Sequence, residues 1–263
     1  MKDDDPRKAY WNEQYLDYWK LRVQEASSGG SKSKVIAGDS ITEDDSVYES
    51  VFNTHSFNVG NILEVGCAWG RMFPIYKRFG LSISAVDISK AMIDAARETW
   101  DGDEKIQTLL EAPAEELPFP DESFDNLTCI AVFDATFQEQ AIAEFLRVTK
   151  PGARIYITGK NDYYFQDDIE AYNAEVGARK KNHPNFFTNT QLLIQSLEKQ
   201  GHKIEKAYFF PRRGDFAAFR YCDDLPEKFY EYFIVLIRGE TYGAFPIISD
   251  SYSKTYKEIN NTK

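Results

Sequence analysis

The sequence predicts an α/β fold, a doubly wound and mostly parallel sheet with helices on both faces. Three observations carry the prediction. From Asn61 to Gly159, short apolar runs alternate with helix-length segments, the pattern of parallel strands joined by helical crossovers. The first apolar run ends in a glycine turn that leads directly into a helical segment. The chain has 263 residues, 43% hydrophobic and 28% charged, which suits one large folded domain with appended helices better than two full domains.

The elements follow in order. Trp11, Tyr15, Tyr18, Trp19 and Arg22 fall on one stripe of a helical period. ASSGGSKSK at 26–34 reads as a surface loop, and a second helix begins near Thr42, with Val47, Val51 and Phe52 on one side. NILEV (61–65) is the first strand; a helix over 70–79 carries Pro74 in its first turn and Gly80 at its end. SISAVD (82–87), KIQTLL (105–110), FDNLTCIAV (124–132) and ARIYITG (153–159) complete five strands. Ser89 caps the helix after the second, and a helix over 138–148 is closed by Lys150-Pro151-Gly152. The stretch 160–187 shows no strand, and TNTQ at 188–191 opens a helix that ends before Gly201. Two further strands are expected over 203–210 and 229–237, and the polar tail is expected to fray. As domains, this gives an N-terminal helical extension or lid over 1–45, a main domain over 46–250 with an insert at 160–187, and a tail over 251–263.

Lys plus Arg number 31 against 42 Asp plus Glu, a net charge of −11, which argues against a DNA partner because no basic field is present to neutralise phosphates. No run approaches the roughly 20 apolar residues of a membrane span. MKDDDPRKAY lacks the apolar core of a signal peptide, so a cytoplasmic protein is expected. Cys67, Cys129 and Cys222 are too scattered for a disulfide framework or a zinc site; reduced thiols and no metal are expected.

The chemistry concentrates in ILEVGCAWGR (62–71). Such a turn brings backbone N–H groups and a helix N-terminus close to a ligand. The dinucleotide fingerprint G-x-G-x-x-G fails, since Ala68 and Arg71 stand where its second and third glycines belong. Asp87 ends the second strand 17 residues after Gly70, where a carboxylate can accept both hydroxyls of a ribose; a helix-capping role is the other reading.

LEVGCAWGR, AVDIS, AEELPFPDESFD and LRVTKPGARIYIT, in this order and at these spacings, resemble the successive motifs of class I S-adenosylmethionine-dependent methyltransferases. The resemblance covers 61–159 closely and the remaining helix–strand–strand tail loosely. It implies a Rossmann-like methyltransferase fold, a seven-stranded sheet with an antiparallel last strand, N-terminal helices and an insert after strand five. It also implies S-adenosyl-L-methionine as cofactor. Carried over position by position, Glu64, Gly66, Cys67, Ala68 and Gly70 surround its methionine part, Asp87 holds the ribose and Ile88 packs on adenine. Ala114 and Glu115 lie at the adenine edge, and Ile130 to Val132 close the sulfonium side. Tyr15 and Trp19 would cover the cofactor if the N-terminal stripe is a lid, and merely pack if it is not. Two positions depart from the pattern: Ala68 replaces a middle glycine, and Pro113 stands where an acidic residue commonly meets the adenine amino group.

In an open parallel sheet, ligands bind beyond the C-terminal strand ends. That rim gathers Phe133, Asp134 and Phe137 after strand four, Lys160, Asp162, Tyr163 and Tyr164 after strand five, and Arg212 and Arg213 after strand six. Asp134 is the first choice for a general base and His183 the second, against a helix-cap role and an ordinary loop histidine respectively. Arg212 and Arg213 suit an anionic substrate group; the aromatic residues suit an apolar wall or the core. The expected function is methyl transfer to a small-molecule acceptor, an oxygen of a sugar or other metabolite with an acidic group, by a monomer or homodimer. A non-catalytic cofactor-binding regulatory subunit and a protein or tRNA methyltransferase are the alternatives.

Overall fold

The computed structural model describes residues 5–14 and 43–262. A one-turn helix, α1 (Pro6–Ala9), runs into a π-turn, Tyr10–Gln14. Tyr15, Tyr18, Trp19, Arg22, the loop at 26–34 and Thr42 lie outside the described residues. Helix α2 (Glu43–Thr54) buries Val47, Val51 and Phe52, as its period predicts.

The strands are β1 (Asn61–Val65), β2 (Ser82–Asp87), β3 (Ile106–Glu111), β4 (Phe124–Cys129), β5 (Thr149–Lys160), β7 (Lys203–Phe210) and β8 (Glu231–Ile237), with two-residue strands β6 (Phe187–Thr188) and β9 (Ser249–Asp250). Seven form one sheet in the order β3-β2-β1-β4-β5-β8-β7, and β8 runs antiparallel to both its neighbours. The helices on its faces are α3 (Phe73–Arg78), α4 (Lys90–Thr99), α5 (Gln138–Val148) and α7 (Thr190–Lys199). Alternation along β1 shows why two layers form: Ile62 packs with Ile83, Phe52 and Tyr156 in one core, and Leu63 with Leu127, Phe145 and Ile155 in the other. Among the described residues no helix is long and apolar enough to cross a membrane.

Five expectations are corrected, each for a local reason. The helix expected over 70–79 starts only at Phe73, because Gly70 is in the left-handed region at φ +83°. The fourth strand stops at Cys129, because Ala131 turns to φ +56° and its N–H donates to Thr158 Oγ1 at 2.7 Å. The insert at 160–187 contains a helix, α6 (Ile169–Lys180), capped by the Asp168 side chain. Its inward residues are Ala171 and Glu175, so no apolar stripe announced it. The tail does not fray: Ser253 caps α8 (Lys254–Asn261), and Thr255 is buried with its hydroxyl bonded to the backbone N–H and C=O of Tyr164. Lys150-Pro151-Gly152 lie within β5, in a bulge between the Thr149 and Arg154 pairings, and do not simply close the preceding helix.

Candidate active site

The glycine turn after β1 is built by steric necessity. Gly66 sits at φ +79°, and a Cβ on it would stand 2.4 Å from Val132 Cγ2. Its N–H and that of Cys67 donate to Val86 O at 2.8 and 3.1 Å, tying the turn to β2. Ala68 is also left-handed, at φ +48°, and its N–H donates to Asp87 Oδ2 at 2.9 Å. Ser89 N–H donates to Asp87 Oδ1 at 2.8 Å. Each carboxylate oxygen thus holds one N–H and retains accepting capacity for a second donor. Burial nevertheless pushes the Asp87 carboxyl up to about 6, against the pull of those two bonds.

Asp87 lines a cavity of about 110 Å³ with Gly66, Ala68, Ile88, Ala114 and Glu115. Val65 lines it too, and the neighbouring Glu64 is buried with Oε2 lacking a hydrogen-bond partner. Burial raises the Glu64 carboxyl far above the ordinary range, and nearby Arg71 opposes the shift. A carboxylate that can accept a diol, an orphaned carboxylate oxygen beside it and a turn whose cavity-lining residues are only glycine and alanine fit the ribose, the ammonium group and the close approach that S-adenosylmethionine requires.

Other residues assigned to this pocket serve the frame around it. Cys67 is buried, its thiol raised by burial and by the Asp87 and Glu64 carboxylates. At Gly70 a Cβ would meet Trp100 Nε1 at 2.5 Å, so this glycine admits the indole. Ile130 packs in the core, whereas Val132 faces the cavity. Glu115 is engaged: Oε1 accepts from Arg7 Nη1 at 2.7 Å and from Phe137 N at 2.6 Å. Beside Pro113, this side of the cavity is therefore bounded by an ion pair with the N-terminal segment. That segment is further anchored by Lys8 to Glu111 at 2.7 Å and by Asn12 Oδ1, which accepts from Ser89 Oγ at 2.8 Å. Tyr15 and Trp19 fall outside the described residues.

Trp11, Ala131 and Ala135 line this cavity and also a second one of about 490 Å³, so the two meet there. Asp134, Lys160, His183 and Arg213 face the second cavity. Asp134, on the 3₁₀ turn Phe133–Ala135, has Oδ2 3.0 Å from Lys160 Nζ. Burial works against the Lys160 ammonium, yet Asp134 and Glu175 together hold it above the ordinary lysine range. For His183, burial pushes the imidazole below its usual value, with Asp134 opposing and Lys160 reinforcing. The rings of Tyr10 and Trp11 stand edge-on to His183 at 5.0 and 5.2 Å.

The remaining rim residues lie elsewhere. Phe133 is buried against Phe145, and Tyr164 against Tyr230. Phe137 stands before α5 with the Arg7 guanidinium 4.1 Å from its ring centre, and Lys228 lies 4.5 Å from the centre of Tyr163. Arg212 pairs with exposed Asp167 at 3.1 Å. Arg213 does reach the cavity, and its Nη1 donates to Tyr230 OH at 3.1 Å. Ala131 lies in the stretch expected to close this side, though nothing in an alanine signals its left-handed backbone; Tyr232, whose ring fits only because residue 159 is glycine, is a lining residue the sequence reading missed.

Residues 63–157 match the family described as a methyltransferase domain. A phosphatidylethanolamine N-methyltransferase of Cereibacter sphaeroides is 32% identical over 101 residues, 37% of this chain and 49% of that one. A malonyl-[acyl-carrier protein] O-methyltransferase of Yersinia pestis is 27% identical over 152 residues, 57% of this chain and 54% of the relative. The chain thus spans about half the length of these curated relatives. Among solved structures, an S-adenosylmethionine-dependent methyltransferase from Mesorhizobium loti superposes with a TM-score of 0.58 at 17% identity. The match covers 74% of this chain and 100% of that one, a likeness of fold. Residues 63–157 thus match a methyltransferase domain, set within a seven-stranded fold like that of the solved methyltransferase.

Proposed function

We propose that the protein moves a methyl group from S-adenosylmethionine to a hydroxyl oxygen of a small molecule, a sugar or other metabolite bearing an acidic group. The observation that carries this reading is the junction of the two cavities at Trp11, Ala131 and Ala135, which puts a chamber of small-molecule size, lined by both charged and aromatic residues, directly beside the Asp87 pocket. When bound, the cofactor supplies a methyl carbon on a sulfonium sulfur, open to attack by a nucleophile. Asp87 would hold the ribose hydroxyls and Glu64 the ammonium group.

An alcohol attacks well only as its proton leaves, so a base is needed close by. His183 suits that role, because burial favours its uncharged form and it faces the chamber. Asp134, ion-paired with Lys160, supports the imidazolium that results. Arg213 is the cation that remains to meet an acidic group. A cytoplasmic location, as monomer or homodimer, belongs to the same reading.

Calorimetric titration with S-adenosylmethionine, and NAD as control, tests the cofactor. Saturable binding of the former alone is the expected result. Labelled methyl transfer from the loaded protein should then enter a small-molecule fraction, and label found only in protein or RNA would sink the acceptor reading.

A further inference from the structure

Beneath the acceptor chamber the Lys160–Asp134 pair belongs to a buried polar network, of which the assignments above leave Glu175, Asn185 and the ammonium itself unused. Lys160, at the C-terminal end of β5, donates to Asn185 Oδ1 at 3.1 Å and stands 3.0 Å from Asp134 Oδ2. Glu175, 1% exposed, lies 3.7 Å from the same ammonium. Glu175 is itself held: Oε1 accepts from Tyr230 OH at 2.7 Å and Oε2 from Asn185 Nδ2. An ammonium carries three N–H donors, of which Asn185 and Asp134 take two at hydrogen-bond distance. The 3.7 Å to Glu175 is too long for a third bond, though close enough for strong attraction.

A buried carboxylate is costly unless several donors converge on it, and α6 places Glu175 where they do. The effect is to lock the Lys160 ammonium beside the Asp134 carboxylate on the chamber floor. The walls are aromatic: Trp11, Tyr48, Phe216 and Tyr232 line the same space. The charged lining is mixed, Asp134, Glu170 and Glu231 against Lys160 and Arg213, so neither a simple anion nor a simple cation meets one sign of field.

We infer that Lys160 and Asp134 form a clamp for two neighbouring hydroxyls of a sugar ring, with Glu175 and Asn185 as positioning residues. Each hydroxyl both donates and accepts, so a fixed donor next to a fixed acceptor matches an adjacent pair, and the aromatic walls receive the C–H faces of the ring. The clamp orients one hydroxyl toward the junction at Ala131 and Ala135. The inference rests on the methyltransferase reading and narrows its acceptor to a vicinal diol.

The test uses methyl-labelled S-adenosylmethionine and a panel of methyl pyranosides and methyl pyranosiduronic acids, the monodeoxy counterparts of both, primary amines and carboxylic acids without a ring diol. Transfer to pyranosides is expected, with roughly a 100-fold or greater loss of kcat/KM when the hydroxyl next to the methylated one is missing. Lys160→Met should raise KM for the glycoside more than about tenfold while S-adenosylmethionine affinity stays within about twofold, and Lys160→Arg should recover part of that loss. Glu175→Gln should raise KM with kcat largely kept, a split that general destabilisation does not produce. If Lys160→Met does not fold, the deoxy series on the unaltered protein still decides. Equal rates for deoxy acceptors, transfer only to amines or carboxylic acids, or cofactor binding without transfer to any glycoside would overturn the clamp. Failure to bind S-adenosylmethionine at all would instead bring down the underlying reading.

Discussion

Asp87 ionises late because burial outweighs two backbone N–H bonds, and this has a measurable consequence. In the proposed function, ribose hydroxyls donate to the charged carboxylate, so cofactor binding would favour the ionised form. With the free group at about 6, the part of the S-adenosylmethionine affinity that Asp87 controls, read as the difference from Asp87→Asn, should be flat above about pH 7 and about tenfold weaker at about pH 5. Near pH 6, titrations in buffers of different ionisation enthalpy should reveal release of about half a proton. Asp87→Asn should abolish both effects. Asp87→Ala should weaken binding by about 1.5–3 kcal/mol with the fold retained, and unchanged affinity would remove the ribose assignment.

At the scale of elements, the N-terminal segment shows how a short piece of chain acquires a fixed place. Helix α1 is one turn long and cannot hold itself together. What holds it is tertiary: Arg7 to Glu115, Lys8 to Glu111, and Asn12 to Ser89 at the cap of α4. Arg7 is 7% exposed, so its charge-assisted bonds are little screened by solvent. Arg7→Ala should therefore weaken S-adenosylmethionine binding by about tenfold while barely moving the thermal midpoint. A lowered midpoint with unchanged affinity would mean that the segment braces the fold and does not border the pocket. The same logic governs α8, whose place depends on Ser253 as cap and on Thr255 bonded to Tyr164.

For the molecule as a whole, acid stability turns partly on His202, which follows the turn after α7. It is 4% exposed, its Nδ1 accepts from Gly239 N at 2.9 Å, and burial with nearby Arg238 pushes the imidazole down to about 4. The folded value lies below the unfolded one near 6.5, so between these pH values the unfolded chain binds the extra proton. The contribution of His202 is whole above pH 6.5 and is lost as pH falls toward 4, on the order of 2–3 kcal/mol in all. Buried carboxyls such as Asp87 act with the opposite sign, so the clean measurement is a difference. Denaturant unfolding of the wild type and of His202→Gln should show a gap at about pH 7.5 that narrows by about pH 4.5.

Residue order alone determined the seven strands of the main sheet, the glycine turn, the place of Asp87 at the end of β2 and the class of the fold, because these rest on local periodicity and on a motif whose parts lie close together in sequence. NILEV, SISAVD and the helix over 138–148 occupy the predicted positions. The acceptor chamber was legible only in part. Asp134, His183 and Arg213 were named as rim residues and face it, whereas Phe133 and Tyr164 were named on the same grounds and lie in the core. Which way a side chain turns at a strand end depends on the packing around it. Glu175 was invisible for a related reason, since an acidic residue in a polar helix reads as solvated until Tyr230, Asn185 and Lys160 converge on it from distant parts of the chain. Tertiary structure alone decided that convergence, because burying a charge becomes tolerable only when the partners that compensate it are already in place.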